Sequence, residues 1–141
     1  GTPQSAYTAG LSYWGKNFWS FWLNVSYFDN IWIDANPLRR TSLGVAPVEA
    51  GTELHDKIIR QEKVDGALMV DISGRKSWRF KSGNFLIANL GLTNLLNNQS
   101  LITGGFEQLR FDFEEKDVDR FPARYYYGYG LTFFANVTFR F

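Results

Sequence analysis

Apolar side chains recur at every second position in several stretches of the chain. The longest such stretch closes it: from Tyr125 to Phe141 the odd positions Tyr125, Tyr127, Tyr129, Leu131, Phe133, Ala135, Val137, Phe139 and Phe141 are all apolar or aromatic. The even positions Tyr126, Gly128, Gly130, Thr132, Asn136, Thr138 and Arg140 are small, hydroxylated, amide or charged, with Phe134 the exception. Successive side chains of a strand point to opposite faces, so this reads as one apolar and one polar face. The same period appears in residues 5–14 and, after the turn signal Gly15-Lys16-Asn17, in residues 18–28. It returns in residues 67–80, with Leu68, Val70, Ile72 and Trp78 facing one way and Asp71, Arg75 and Arg79 the other. Lys81-Ser82-Gly83-Asn84 is a tight turn, and residues 85–96 form a further strand with Leu86, Ala88, Leu90 and Leu92 on its apolar side.

Between these strands, residues 29–66 and 97–123 lose the period. The first segment carries Pro37, Pro47, the pair Arg39-Arg40 and a short helix expected from Thr52 or Glu53 to Lys63; the second carries Gly104-Gly105 and an acidic run from Asp112 to Asp119. Loops of this length are rare in compact soluble domains and ordinary on the outer side of membrane barrels. The expected order is therefore five strands near 5–14, 18–28, 67–80, 85–96 and 124–141, joined by short, long, short and long connections.

Aromatic placement sharpens this picture. Aromatics make up 18% of the 141 residues. If the short turns share one rim, Tyr13, Trp14, Phe18, Trp19, Trp78, Phe80, Phe85, Phe139 and Phe141 gather there, and Tyr27, Phe28, Trp32, Tyr125, Tyr127 and Tyr129 gather at the other. Two girdles around an aliphatic band are what a membrane barrel needs. No apolar run approaches the roughly 20 residues of a membrane helix. The fold class expected is all-β: an antiparallel transmembrane β-barrel segment of about five strands with two long extracellular loops. Five strands do not close such a barrel, which takes about 8 or more. The missing strands, and any export signal upstream of Gly1, are expected elsewhere. The alternative is a soluble or surface-attached β-rich carbohydrate-binding module with an aromatic core.

Charge and cysteine content narrow the partners only slightly. Fifteen basic and fourteen acidic side chains give a net charge of +1, without a nucleic-acid signature, and no cysteine is present for a disulfide.

Six motifs in order, Gln61-Glu-Lys-Val-Asp-Gly66, Asp71-Ile-Ser-Gly-Arg-Lys-Ser-Trp78, Asn94-Leu-Leu-Asn97, Ile102-Thr-Gly-Gly-Phe-Glu-Gln108, Phe121-Pro-Ala-Arg-Tyr-Tyr-Tyr-Gly128 and Val137-Thr-Phe-Arg-Phe141, carry a resemblance. The chain resembles the C-terminal end of a TonB-dependent outer-membrane transporter of the SusC/RagA type, best over residues 61–141. The resemblance implies a bacterial outer-membrane barrel of about 22 strands around a plug, a SusD-like lipoprotein lid on the extracellular loops, energy delivered by TonB through an N-terminal part outside this sequence, and import of oligosaccharides or peptides. It also implies that Phe139, Arg140 and Phe141 are the signal read by the barrel-assembly machinery, although Asn136 stands where many such signals have Gly.

Candidate chemistry is sparse. His55 with Glu53 and Asp56 reads as a solvated surface group, and Ser73 beside Asp71 has no histidine at matching height on a strand, so no enzyme, cofactor or metal is expected. The acidic run interleaved with Phe111 and Phe113 could bind Ca²⁺, but reads better as a solvated loop or lid contact. Phe106, Phe111 and Phe113 are candidate ligand or lid contacts. Asp71, Arg75 and Arg79 are lumen-facing charges, and lipid is expected outside.

Overall fold

A computed structural model describes residues 2–141 and resolves two compact units, one of residues 6–28, 67–101 and 128–141 and one of residues 2–5, 29–66 and 102–127. The fold is mostly antiparallel β-sheet. The first unit is a five-stranded sheet built from β1 (Ser5–Trp14), β2 (Trp19–Asp29), β5 (Ala67–Arg79), β6 (Phe85–Thr93) and β9 (Thr132–Arg140), in the order β1-β2-β5-β6-β9. It is open, with β1 and β9 at its edges. Four of the five expected strands match β1, β2, β5 and β6 to within about three residues at each end.

Register explains why the period-two pattern matters. Trp19, Phe21, Leu23, Val25 and Tyr27 stand opposite Lys76, Gly74, Ile72, Val70 and Leu68. Across the next seam Ile72, Gly74, Lys76 and Trp78 meet Leu92, Leu90, Ala88 and Leu86, which in turn meet Phe133, Ala135, Val137 and Phe139. Cross-strand partners share a face, so four strands add their apolar positions into one surface on which Lys76 is the single charge. The other face carries the row Ser20, Arg75, Asn89 and Asn136 together with Asn24, Asp71, Ser73, Arg79 and Arg140. Trp22, Phe28, Met69, Phe85, Ile87 and Phe134 are its apolar exceptions.

The expected strand 124–141 is corrected. It divides into β8 (Arg124–Tyr127), which belongs to the second unit, and β9, with residues 128–131 outside any strand. The backbone in between bonds to a neighbouring loop instead of a strand. Gly128 N–H donates to the Leu101 carbonyl at 2.8 Å, Leu131 N–H to Asn97 Oδ1 at 2.9 Å, and the Tyr129 carbonyl accepts from Asn94 Nδ2 at 3.0 Å. A Cβ at position 130 would lie 2.4 Å from Asn97 Oδ1, so a larger residue there would have to displace the Asn97 side chain from its bond to Leu131. Asn94 also ends β6 three residues before the expected Leu96. It is buried, turns into the left-handed region at φ 55°, donates its N–H to Asp71 Oδ1 at 2.9 Å and accepts from Asn98 N–H at 3.0 Å.

The second unit occupies the two segments expected as long loops, the first of them with a short helix. It contains β3 (Ile31–Trp32) paired with β4 (Lys63–Val64), β7 (Ile102–Phe106) paired with β8, and two helices, α1 (Ser42–Val45) and α2 (Glu53–Ile59). Thr52 starts α2 by accepting the His55 N–H at 3.3 Å. The helix stops at Ile59, four residues short of the expected Lys63, because Lys63 is drawn into β4 against Trp32. Buried Ile31, Ile33, Ile58, Val64 and Phe111 give this unit its own small core.

Candidate functional site

Two features offer chemistry: the two-faced sheet and a charged cleft in the second unit. The apolar face of the sheet is uncovered, with Phe133 79%, Val137 69% and Leu90 51% exposed. Folded monomers in water rarely leave so continuous an apolar surface open. Its ends are aromatic. Near the short turns Trp19 stacks on Phe21 with ring centroids 5.5 Å apart, Phe80 lies 6.5 Å from Phe139, and Phe139 lies 6.3 Å from Phe141. At the other end stand Tyr27 and Phe133. From Leu68 to Trp78 the apolar row of β5 runs about 33 Å along the strand, or about 25 Å in height at the ~40° tilt of a barrel strand.

Several expected girdle members are placed elsewhere. Trp32, Tyr125 and Tyr127 belong to the second unit, and Tyr129 lies outside any strand. Phe28 stands on the polar face opposite Ala67. Of the charges expected on the lumen side, Asp71, Arg75 and Arg79 do share the polar face, although Asp71 is occupied by the Asn94 amide. In the proposed assembly signal, Phe139 is on the apolar face opposite Leu86, Arg140 stands opposite Phe85, and Phe141 is fully exposed beyond β9.

In the second unit two adjacent arginines and one glutamate make a buried cluster. Arg40 grips Glu107 with both guanidinium ends, at 2.6 and 3.0 Å, and Arg39 lies 3.6 Å from the same carboxylate. Buried Asn36 donates its N–H to Glu107 at 2.7 Å and its side-chain amide to the Gln108 carbonyl at 2.7 Å. The arginines also cap α2: Arg39 donates to the Lys57 and Ile58 carbonyls, and Arg40 to those of Ile59 and Arg60, all within 3.0 Å. Carbonyls left over at a helix C-terminus, with the negative end of the dipole, suit such cations. Burial acts to raise the Glu107 pKa, yet the Arg40 hydrogen bonds, the Asn36 amide and both guanidinium charges hold it below the ordinary glutamate value. Burial lowers the pKa of Arg39, against the opposing pull of Glu107.

This cluster borders a cleft of about 700 Å³ also lined by Trp32, Glu62, Arg110, Phe121 and Tyr125. The Tyr125 hydroxyl donates to Glu62. That bond, then burial and the Glu62 charge, raise the phenol from 10.0 to about 12. A group whose pKa is raised on folding stabilises fully below its unfolded value and loses that contribution as pH climbs through the folded one. Alkaline unfolding between about pH 10 and 12 is therefore expected to have a component that Tyr125→Phe removes, read from unfolding midpoints across that range.

Sequence reasoning missed Asn36, Glu62 and the pairing of Arg39 and Arg40 with Glu107. The only signal for the last was an adjacent basic pair in one loop and a lone acid in the Gly-Gly-Phe-Glu-Gln motif of another. The second glycine of that motif is explained: a Cβ at Gly105 would lie 2.5 Å from the Arg124 carbonyl.

Among the three candidate loop aromatics, Phe111 is largely buried at the border of the cleft, edge-on to Phe113 at 5.3 Å and 5.8 Å from the Lys116 ammonium. Phe106 and Phe113 keep about a third of their surface exposed. In the acidic run, buried Asp112 accepts from the Glu114 and Glu115 amides and from Arg120 at 2.6 Å, which holds its carboxyl below the usual range. Among the described residues no group of three or more acidic or histidine side chains is arranged to hold a metal. His55 Nδ1 lies 3.7 Å from Asp56, and His55 and Ser73 belong to different units. No family model, curated protein or solved structure matches the chain.

Proposed function

We propose that this chain forms barrel wall and extracellular insertions of a bacterial outer-membrane β-barrel, the C-terminal part of a TonB-dependent transporter of the SusC/RagA type that imports oligosaccharides or peptides. The observation that carries the reading is the uncovered apolar face, continuous over β2, β5, β6 and β9, aromatic at both ends and about one apolar bilayer thickness tall. Lipid would solvate that face, and the polar face with Asp71, Arg75 and Arg79 would look onto the lumen and its plug. Unpaired edges are not tolerated in hydrocarbon, so the remainder of the barrel would bond to β1 and β9. Both long insertions leave the sheet at the end away from the short turns, as an extracellular unit under a SusD-like lid requires. The assembly machinery would read Phe139, Arg140 and Phe141 at the opposite end.

Because the chain has no cysteine, single cysteines report one position each. In outer membranes containing the intact polypeptide, Val137→Cys is expected to react with an apolar maleimide and resist a charged one, and Asn89→Cys to react with the charged reagent. Equal labelling of Val137→Cys by the charged reagent would overturn the wall assignment and favour a soluble carbohydrate-binding module.

A further inference from the structure

The apolar face is not flat. Where the register sets Phe21, Gly74 and Leu90 in one row and Trp19, Lys76 and Ala88 in the next, small residues lie between large ones. Gly74 and Ala88 form the floor of a depression of about 370 Å³, and the stacked pair Trp19 and Phe21, with Trp78 and Leu90, form its walls. The Phe21 ring leans over Gly74, 3.3 Å from where a Cβ would stand. The lining is largely apolar, with Ser73 and Asn89 at its border, and it holds one charged side chain. Lys76 is half-buried; its ammonium lies 5.0 Å from the Trp19 ring and 5.7 Å from the Trp78 ring, and it donates to the Asn17 carbonyl in the turn between β1 and β2. The charge thus leaves the apolar band for the rim, in the way long cationic side chains do at membrane interfaces.

We propose that this depression is a binding site for an anionic diacyl phospholipid. One acyl chain lies over Ala88 between the aromatic walls, beside the Phe21 ring that covers Gly74, and the phosphate meets Lys76 at the short-turn rim. The apolar trough asks for a flexible hydrocarbon, and a single ammonium at one end asks for an anion at that depth. An ammonium carries three donors, and the Asn17 carbonyl takes one of them, so a phosphate oxygen can take another. Tryptophan at the same height suits the boundary between acyl chain and headgroup. The inference rests on the barrel reading above, which places the short turns on the periplasmic side and hence selects phospholipid over lipopolysaccharide.

The test is native mass spectrometry of the intact polypeptide purified in detergent and offered equal phosphatidylglycerol and phosphatidylethanolamine. Retained adducts are expected to favour phosphatidylglycerol. Lys76→Gln should lower that preference about fivefold, the contribution of one lysine near an anionic lipid surface, while Lys76→Arg keeps most of it. Ala88→Leu, which fills the trough, should reduce retention of both lipids without changing their ratio. An unchanged ratio in Lys76→Gln, or undiminished retention in Ala88→Leu, would overturn the site while leaving the barrel intact. Failure of the barrel reading shows separately, as a polypeptide that leaves the membrane fraction without detergent.

Discussion

Leu90→Arg is expected to abolish most of the assembled, heat-modifiable form of the intact polypeptide in outer membranes, while Asn89→Arg, one residue away, assembles normally. The two side chains are on opposite faces. Leu90 stands opposite Gly74 and Ala135 in the apolar surface, and Asn89 opposite Arg75 and Asn136 in the polar one. An arginine on the lipid side of a barrel costs about 2–4 kcal/mol near the midplane and about 0–1 near the rims. Leu90 sits between the aromatic ends of the face, so the larger figure applies. In a soluble module the sign reverses: Leu90 is 51% exposed, and an arginine there would leave folding nearly unchanged and raise solubility. The measurement is the ratio of folded to unfolded bands in unheated membrane samples. A normal ratio in Leu90→Arg with loss in Asn89→Arg would mean that the sheet presents its other face to lipid.

That contrast rests on information legible in residue order alone. Alternation in residues 18–28, 67–80 and 85–96 identified β2, β5 and β6 and predicted which residues share a face, because a period of two leaves only one way to bury or expose a row together. The same rule misled at the end of the chain. Tyr125, Tyr127, Tyr129 and Leu131 keep the alternation, yet Tyr125 and Tyr127 pair with β7, and Gly128, Tyr129 and Leu131 bond to Leu101, Asn94 and Asn97. Nothing in a local pattern reports that a carbonyl has found a partner some thirty residues away. Apart from the helix expected from Thr52 or Glu53 and found as α2, the interior of the 29–66 segment was opaque for a related reason. Its elements are two to seven residues long, too short to show a period, and they are fixed by long-range contacts such as the Asp34 N–H to the Gly105 carbonyl at 2.9 Å. Only coordinates identify the close approaches at Gly105 and Gly130.

The second large effect belongs to that opaque region. Glu107→Gln is expected to raise the rate of limited proteolysis within residues 29–66 and 102–127 about 100-fold, with Tyr27 to Leu68 pairing in the sheet unaffected. Among the described residues Glu107 is the acid within salt-bridge distance of Arg39 and Arg40, and it also accepts the buried Asn36 N–H. Removing one partner from a buried pair costs about 3–5 kcal/mol because the other charge stays behind. Arg40 keeps about a fifth of its side-chain surface in water, which places the cost near the lower bound. Proteolysis follows the open population when reclosing outpaces cleavage, so about 3 kcal/mol appears as roughly two decades in rate. The pH dependence has a fixed sign. Glu107 has a pKa below its ordinary value of 4.5, so its contribution is complete above that value and is lost as pH falls through the lowered one. Wild-type protein should open toward acid, and Glu107→Gln should lack that component. Replacing all three charges at once, as Arg39→Met, Arg40→Met and Glu107→Leu, removes the unpaired charges along with the pair, and recovers part of the resistance lost in Glu107→Gln. It does not recover all of it, because the Asn36 amide and the α2 carbonyls that Arg39 and Arg40 satisfied remain without partners. Equal rates in wild type and Glu107→Gln would show that the cluster is a solvated decoration and that Ile31, Ile33 and Ile58 alone hold the unit closed.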